Sequence, residues 1–368
     1  MRSDPKLLAA VVCLSFAACG GSSSEPDAGD GGAYFFIPLG GGSAATGGGY
    51  SATGGGNGGG GATGGGTGTH TFDGGTFVDG GTYGVPVDGA PSWRERQVLV
   101  LTNAVRLSPT DYKQSPVYAV GSPSLNTATV LSATYPARDP VFNQQDLNHS
   151  ARQHSVEMGT FNYFAHESLD AGTPGARIKS YYTLSQTYGE NIAAGNVDPI
   201  ATMHQWLCDK ATGTTVCCAD AASCDGHRRN IMSGSFKALG VGYGFVTTST
   251  YRAYWTQDFG GVANPPAPPL VDGVHLLSGS AQTRFVANYA ATGPAESLTL
   301  MLSEDPYPMA VELGTSTRGT WFVSVPRGTG CRPYYFAAVD AAGRAWRYPA
   351  MGVFLTTGEA TCTQEWLP

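Results

Sequence analysis

Charge is what this sequence has least of: 13% of its 368 residues are Asp, Glu, Lys or Arg, with a formal net charge of −7. The 21 basic residues form no stripe or cluster, which argues against a nucleic-acid partner. After the N-terminus no apolar run approaches the roughly 20 residues that span a bilayer, so nothing further along is expected to cross one. No Gly-x-Ser-x-Gly stretch occurs, so the strained serine elbow of α/β-hydrolases is missing. No two cysteines stand three positions apart, the spacing common in structural zinc sites.

Glycine, by contrast, numbers 52 and is concentrated near the start. The chain opens with Arg2 and Lys6 and an almost wholly apolar run from Leu7 to Ala18. That run is too short to span a membrane but suits the h-region of an export signal. Ala17-Ala18-Cys19-Gly20 resembles the lipobox of bacterial lipoproteins, in which the cysteine is acylated and becomes the new N-terminus. The resemblance implies a signal peptide over 1–18, lipidation of Cys19 and a membrane-anchored, exported protein. Gly20 in place of Asp favours the outer membrane or cell surface. From Gly40 to Gly68, 17 of 29 residues are Gly. Such a segment has too few apolar side chains to offset its conformational entropy. Residues 19–91 are therefore expected to be a disordered tether, reaching about 45 Å as a flexible coil.

Folded structure is expected from residue 92, and the expected class is α+β. Ser92 and Glu95 have capping-box spacing, and Val98, Leu101 and Val105 then share one helix face. Leu147, Ala151, His154 and Met158 mark a second helix, and Asp198-Pro199 starts a third that runs to about Asp209. Strands are expected at 239–245 and 251–259. Residues 263–270, rich in proline, form a linker. The remainder, 271–368, carries short strands near 284–289, 297–302, 321–325, 334–339 and 351–356, which suggests an immunoglobulin-like or fibronectin-like sandwich.

Six cysteines follow Cys19. In an oxidising compartment disulfides are the default. Cys331 and Cys362 are expected to bridge the C-terminal module. Cys208, Cys217, Cys218 and Cys224 are expected to form two pairs, each joining Cys217 or Cys218 to Cys208 or Cys224, with a zinc site as the alternative.

The most informative segments are Phe164-Ala165-His166-Glu167-Ser168, Gly189-Glu190-Asn191-Ile192, Trp206, Gly226-His227-Arg228 and Trp255-Thr256-Gln257-Asp258-Phe259-Gly260. In this order and spacing they resemble the bacterial branch of the CAP superfamily, which includes cysteine-rich secretory proteins, antigen 5 and pathogenesis-related proteins. The resemblance covers residues 93–261. It implies an α-β-α sandwich over 92–262 whose cleft gathers two His and two acidic residues. Residue by residue, it points to His166, Glu190 and His227. The fourth place, three after Trp206, holds Asp209, where many bacterial relatives lack an acid. The inserted four-cysteine loop lies between Trp206 and Gly226, able to reshape the cleft rim.

Two converging imidazoles, His166 and His227, can hold a divalent metal such as zinc, with carboxylates orienting them. A His paired with a carboxylate can instead act as a general base. No cysteine outside the disulfide loop offers a nucleophile, and Ser168 belongs to the family's loop. The expected function is thus a surface-displayed binding module for an extracellular lipid, glycan, peptide or metal, rather than an enzyme. The alternatives are a metal-assisted hydrolase or protease using His166, Glu190 and His227, and an adhesion protein acting through the C-terminal β domain. Other prominent residues have plainer explanations: His154 as a core histidine, His204 as a solvated one, Arg228 and Arg229 in helix capping, and Gly189, Gly240 and Gly242 in close backbone packing.

Overall fold

The computed structural model describes residues 33–36 (backbone), 76–183, 187–210, 214–262, 267–278, 281–359 and 362–368. The expected signal peptide, Cys19, most of the tether and residues 263–266 of the linker lie outside the described residues.

The first half is mixed α and β. Its helices are α1 (Trp93–Leu107), α2 (Pro109–Gln114), α3 (Gln145–Phe161), α4 (Pro174–Tyr181), α5 (Pro199–Cys208) and α6 (Gly226–Ile231). Its strands are β1 (Ala33–Phe36), β2 (Phe142–Asn143), β3 (Tyr188–Ala194), β4 (Ala238–Phe245) and β5 (Ala253–Gly260), in the order β1-β3-β5-β4-β2. All neighbours are antiparallel except β2 and β4.

Helices cover both faces of this sheet, and the alternation of side chains along the strands decides what each face meets. Leu239 and Val241 of β4 and Trp255 and Phe259 of β5 join Val98, Leu101 and Val105 of α1 and Met203, Trp206 and Leu207 of α5 in one core. On the opposite face β4 offers Ala238 and then only glycine, Gly240, Gly242 and Gly244. A Cβ on Gly240 would lie 2.0 Å from the Leu147 carbonyl carbon, and one on Gly242 would lie 2.2 Å from Ala151. The backbone of α3 therefore rests directly on β4, the close-packing role expected of these glycines. This is the expected α-β-α sandwich.

The helix starts follow their sequence signals. In α1 Ser92 and Glu95 form a complete capping box, and in α5 Asp198 Oδ1 accepts from the Ile200 and Ala201 amides at 2.7 and 3.0 Å. Leu147, Ala151, His154 and Met158 of α3 are all buried.

The second half is all β. Strands β6 (Leu270–Ser278), β7 (Gln282–Ala290), β8 (Ala295–Leu302), β9 (Asp305–Pro308), β10 (Ala310–Gly314), β11 (Arg318–Pro326), β12 (Pro333–Asp340), β13 (Ala345–Tyr348), β14 (Val353–Leu355) and β15 (Trp366–Leu367) form two sheets. One runs β10-β11-β7-β6; the other runs β15-β14-β12-β8-β9, with β13 also on β12. Phe285 and Tyr289 of the first pack against Leu300, Tyr334 and Phe336 of the second. That is a sandwich core, as the short-strand pattern suggested.

Two stretches inside the segment read as tether carry structure. Strand β1 pairs with the outer edge of β3, Tyr34 opposite Glu190; its Ala-Tyr-Phe-Phe sequence is the local exception to a Gly-rich composition. Residues 76–91 are ordered as well. Phe77 bridges to Ala345, the Tyr83 hydroxyl donates to the Val271 carbonyl at 2.6 Å, and Val85 and Ala90 are buried.

The proline-rich linker does not hold the two halves apart. Every residue of α1 except Arg94 is buried, because the helix has one face on the CAP-like sheet and another on β6 and β7. Trp93 stacks on His275 with ring centroids 4.9 Å apart. Asn103 donates to Asp272 at 2.8 Å, and Asn288 donates to the Val100 carbonyl at 2.9 Å. A helix buried on nearly all sides, its polar side chains such as Asn103 and Arg106 included, draws cover from both halves, which either alone would leave incomplete.

Candidate functional site

The site is built around β3, whose successive residues point to opposite faces of the sheet. Glu190 faces the α3–α4 side, together with Tyr188 and Ile192. Asn191 faces the α5–α6 side.

On the first side the loop after α3 brings His166 to β3, and its Nδ1 lies 2.7 Å from Glu190 Oε1. The other carboxylate oxygen, Oε2, accepts from Arg177 Nη2 on α4. Arg177 also donates through Nη1 to Ser168 Oγ at 2.6 Å and to the His166 carbonyl at 3.2 Å. Glu190 is fully buried. Burial alone would raise its carboxyl, but the His166 hydrogen bond and the Arg177 charge outweigh that and hold it below the usual carboxylate range. The His166 side chain retains 11% of its exposure, so the pair is reachable only through the imidazole.

On the second side, Asp209 ends α5 in the left-handed region with φ 45°, a conformation Asp tolerates better than most residues. This turns its carboxylate toward α6. Oδ1 meets His227 Nδ1, and Oδ2 accepts from the Arg228 amide at 3.0 Å. The four-cysteine loop therefore does not swing Asp209 aside. Its pairings are Cys208–Cys217 and Cys218–Cys224, one of the two alternatives expected, and Cys331–Cys362 closes the C-terminal module. The loop is pinned by Arg228, which is fully buried. Its Nε donates to Asp220 at 2.7 Å, Nη2 to the Cys218 carbonyl at 2.7 Å, and Nη1 to the Leu207 carbonyl. The capping role expected of Arg228 is met from the interior: its guanidinium satisfies the Leu207 carbonyl in the last turn of α5 and the Cys218 carbonyl of the loop.

Asn230 ties the two sides together. Its Nδ2 donates to the Glu190 carbonyl at 3.0 Å and to Asn191 Oδ1 at 2.9 Å, while Asn191 Nδ2 reaches the His227 carbonyl at 3.2 Å. All four expected residues thus occur as two histidine–carboxylate pairs, His166–Glu190 and His227–Asp209, braced across one strand. The sequence reading did not assign Arg177, Asn191 or Asn230. Asn191 stands inside the Gly189–Ile192 segment, Asn230 lies two residues beyond Gly226-His227-Arg228, and Thr173-Pro174 marks the start of the helix that carries Arg177. The remaining histidines divide. His154 is a core residue as expected, with Nε2 2.9 Å from the Ala165 carbonyl. His204 is not solvated: it is buried, with Nε2 2.9 Å from the Pro123 carbonyl.

A catalytic zinc centre generally has three protein ligands and an open position. Among the described residues no group of three or more His, Cys, Asp or Glu side chains is arranged to hold a metal. Both carboxylates are turned onto imidazole Nδ1 atoms, the orienting position and not the coordinating one. The carboxylates thus take the orienting role expected of them, and the donors left for a metal are the two imidazoles, His166 and His227. No helix among the described residues is long and apolar enough to cross a membrane.

Comparison with known proteins places this geometry. The profile of the Cysteine-rich secretory protein family, CAP, matches residues 138–259, from before α3 to within β5, and that span holds all four paired residues. The uncharacterized protein YkwD of Bacillus subtilis (strain 168) is 34% identical over 120 residues, 33% of this chain and 39% of YkwD. The uncharacterized membrane protein YlbC of the same organism is 31% identical over 106 residues, 29% of this chain and 24% of YlbC. The similarity thus spans well under half of either relative. A solved extracellular protein containing a SCP domain from Bacillus anthracis str. Ames is 31% identical over 34% of each chain, with a TM-score of 0.26. A solved outer surface protein from Borrelia burgdorferi is 16% identical, covering 34% of this chain and 80% of its own, with a TM-score of 0.27. The chain thus carries a domain of the CAP family, matched over residues 138–259, and is similar there to proteins of Bacillus.

Proposed function

We propose that the protein is an exported, lipid-anchored CAP protein that binds a polar extracellular ligand, a glycan or peptide, at its two histidine–carboxylate pairs. One observation carries this reading: both carboxylates are saturated by structural partners. Glu190 is held by His166 and Arg177, and Asp209 by His227 and the Arg228 amide. The Ser168 hydroxyl beside the first pair is engaged by Arg177. Groups committed in this way leave the two imidazoles to meet a ligand, suited to hydrogen-bonding a polar one. Export and anchoring rest on the N-terminal run and Cys19, and agree with a relative described as extracellular.

A hydrolytic reading has one observation in its favour. An imidazole whose Nδ1 is fixed by a carboxylate is oriented to act as a general base through its other nitrogen. Full-length protein lacking residues 1–18 discriminates the two. N-acetylglucosamine oligomers and a mixed peptide pool are offered in calorimetric titration, with a peptide and ester substrate panel run alongside. Saturable binding that His227→Ala weakens at least tenfold, with no turnover, is the expected result. Turnover that disappears in both His227→Ala and Glu190→Gln would overturn the binding reading in favour of the hydrolytic one. Anchoring is tested separately by palmitate labelling, expected in the wild type and lost in Cys19→Ala.

A further inference from the structure

The α3–α4 face of the sheet buries a second carboxyl that the site does not use. Asp258 on β5 stands directly opposite Glu190 on β3 in the antiparallel register. Side chains so placed emerge on the same face with Cβ atoms roughly 5 Å apart. Both residues are fully buried. On its other flank Asp258 faces Gly240 of β4, which supplies no side chain. From α3 the Ser150 hydroxyl bears on it, and from α4 the Arg177 guanidinium. His166 and, from α3, His154 act on the neighbouring Glu190. The charge count does not balance if both acids are ionised: Arg177 is the one guanidinium acting on both and already donates to Glu190. Neither oxygen of Asp258 meets a donor in full hydrogen-bond geometry among the described residues, and the polar groups beside it are the Ser150 hydroxyl and the Glu190 carboxyl. A buried charge without a partner is relieved by taking up a proton.

We propose that Asp258 is a positioning residue, held as a neutral carboxylic acid beside Glu190, which leaves Glu190 as the single negative charge shared by His166 and Arg177. Burial, and then the charge of Glu190, push the Asp258 carboxyl well above the ordinary range. The two acids titrate as a coupled pair holding one proton. A raised acid has a definite consequence for stability. The folded state keeps a proton that the unfolded chain releases near pH 3.9, so this residue's contribution declines as pH rises from about 4 toward the folded value. The significance of the residue rests on the His166–Glu190 pair being part of the working site. Its protonation state does not, and can be measured without a ligand.

The test uses the full chain and Asp258→Asn, a neutral isostere. The infrared difference spectrum of wild type minus variant near pH 7 is expected to show a protonated-carboxyl carbonyl band. The His166 imidazole, followed by NMR, should titrate at the same midpoint in both proteins, because one neutral group replaces another. The melting-temperature advantage of the variant over wild type should grow from pH 4 to pH 8. Absence of the band, or a fall of the His166 midpoint by about one unit on removing a nearby negative charge, overturns the proposal. If the variant fails to fold, carboxyl-13C aspartate labelling of the wild type decides alone. One aspartate still protonated near pH 7 supports the proposal, and none overturns it. A failed ligand search leaves this result standing, and an ionised Asp258 leaves the binding reading standing.

Discussion

Arg177 is the residue on which the first histidine–carboxylate pair depends most. Replacing it by Met keeps much of the side-chain volume but leaves Glu190 buried with half its charge compensation gone. Breaking a buried pair by removing one partner costs about 3 to 5 kcal/mol, and Arg177→Met is expected to fall in that range by chemical denaturation. Glu190→Gln should cost a similar amount, because it leaves the buried Arg177 guanidinium without its carboxylate. Losses near zero in both variants would show that the pair contributes little. His166, Glu190 and His227 were legible in the sequence because each stands inside a short recurring segment. Asp209 was legible only by its distance from Trp206. Arg177 was not legible, since a buried arginine in a short helix looks like any surface arginine until its partner is placed beside it. His204 was misjudged for a related reason: its neighbour Gln205 suggested a wet face, but the Pro123 segment covers it.

Among the elements, the contact of α3 with β4 leaves least room for change. With Leu147 backbone atoms 2.0 to 2.3 Å from where a Cβ would sit, Gly240→Ala forces the helix off the sheet. Overpacking usually costs about 1 to 3 kcal/mol, and here the obstacle is backbone that cannot rotate away. Gly240→Ala is therefore expected at or above the upper end. Gly330→Ala, with nothing within 4 Å of its added Cβ, should change stability by less than about 0.5 kcal/mol. Denaturant midpoints of the two variants compare them directly, and similar midpoints would contradict the packing argument. The principal helices of the CAP domain could be read beforehand because they carry explicit start signals at Ser92 and Asp198. Strand β6 was missed, as it follows the prolines immediately and its Asp272, Gly273 and His275 break any alternating pattern. Residues 76–91 were missed because their apolar side chains, Phe77, Val78, Tyr83, Val85 and Val87, are broken up by Gly and Pro. They are recruited by surfaces distant in sequence, such as Tyr348, whose ring lies 5.8 Å from that of Tyr83.

At the scale of the molecule, α1 makes the two halves one structure. Val274, Leu276, Val286 and Leu313 of the sandwich belong to the same core as Val98, Leu101, Trp206 and Trp255. Glu365 near the C-terminus accepts from the Trp93 amide and lies 3.6 Å from Arg96. The protein is expected to unfold in a single calorimetric transition whose van't Hoff and calorimetric enthalpies agree. Two resolved transitions would mean that the shared helix does not couple the halves. By the same argument a fragment cut after residue 262 should expose one side of α1 and aggregate. Helix signals and the CAP-like segments made the first half legible and the short-strand pattern the second, yet their union was not, because a proline-rich stretch reads as a spacer and the burial of α1 on two sides has no separate signature. The bridge between Phe77 and Ala345, backed by the Val78 amide donating to the Ala345 carbonyl at 2.7 Å, has a mechanical consequence. Tension arriving from the N-terminal side meets two contacts in turn, β1 on the edge of β3 and then residues 76–91 on the β12–β13 hairpin. A pulling experiment should release β1 from β3, the strand that carries Glu190, before it peels residues 76–91 from that hairpin.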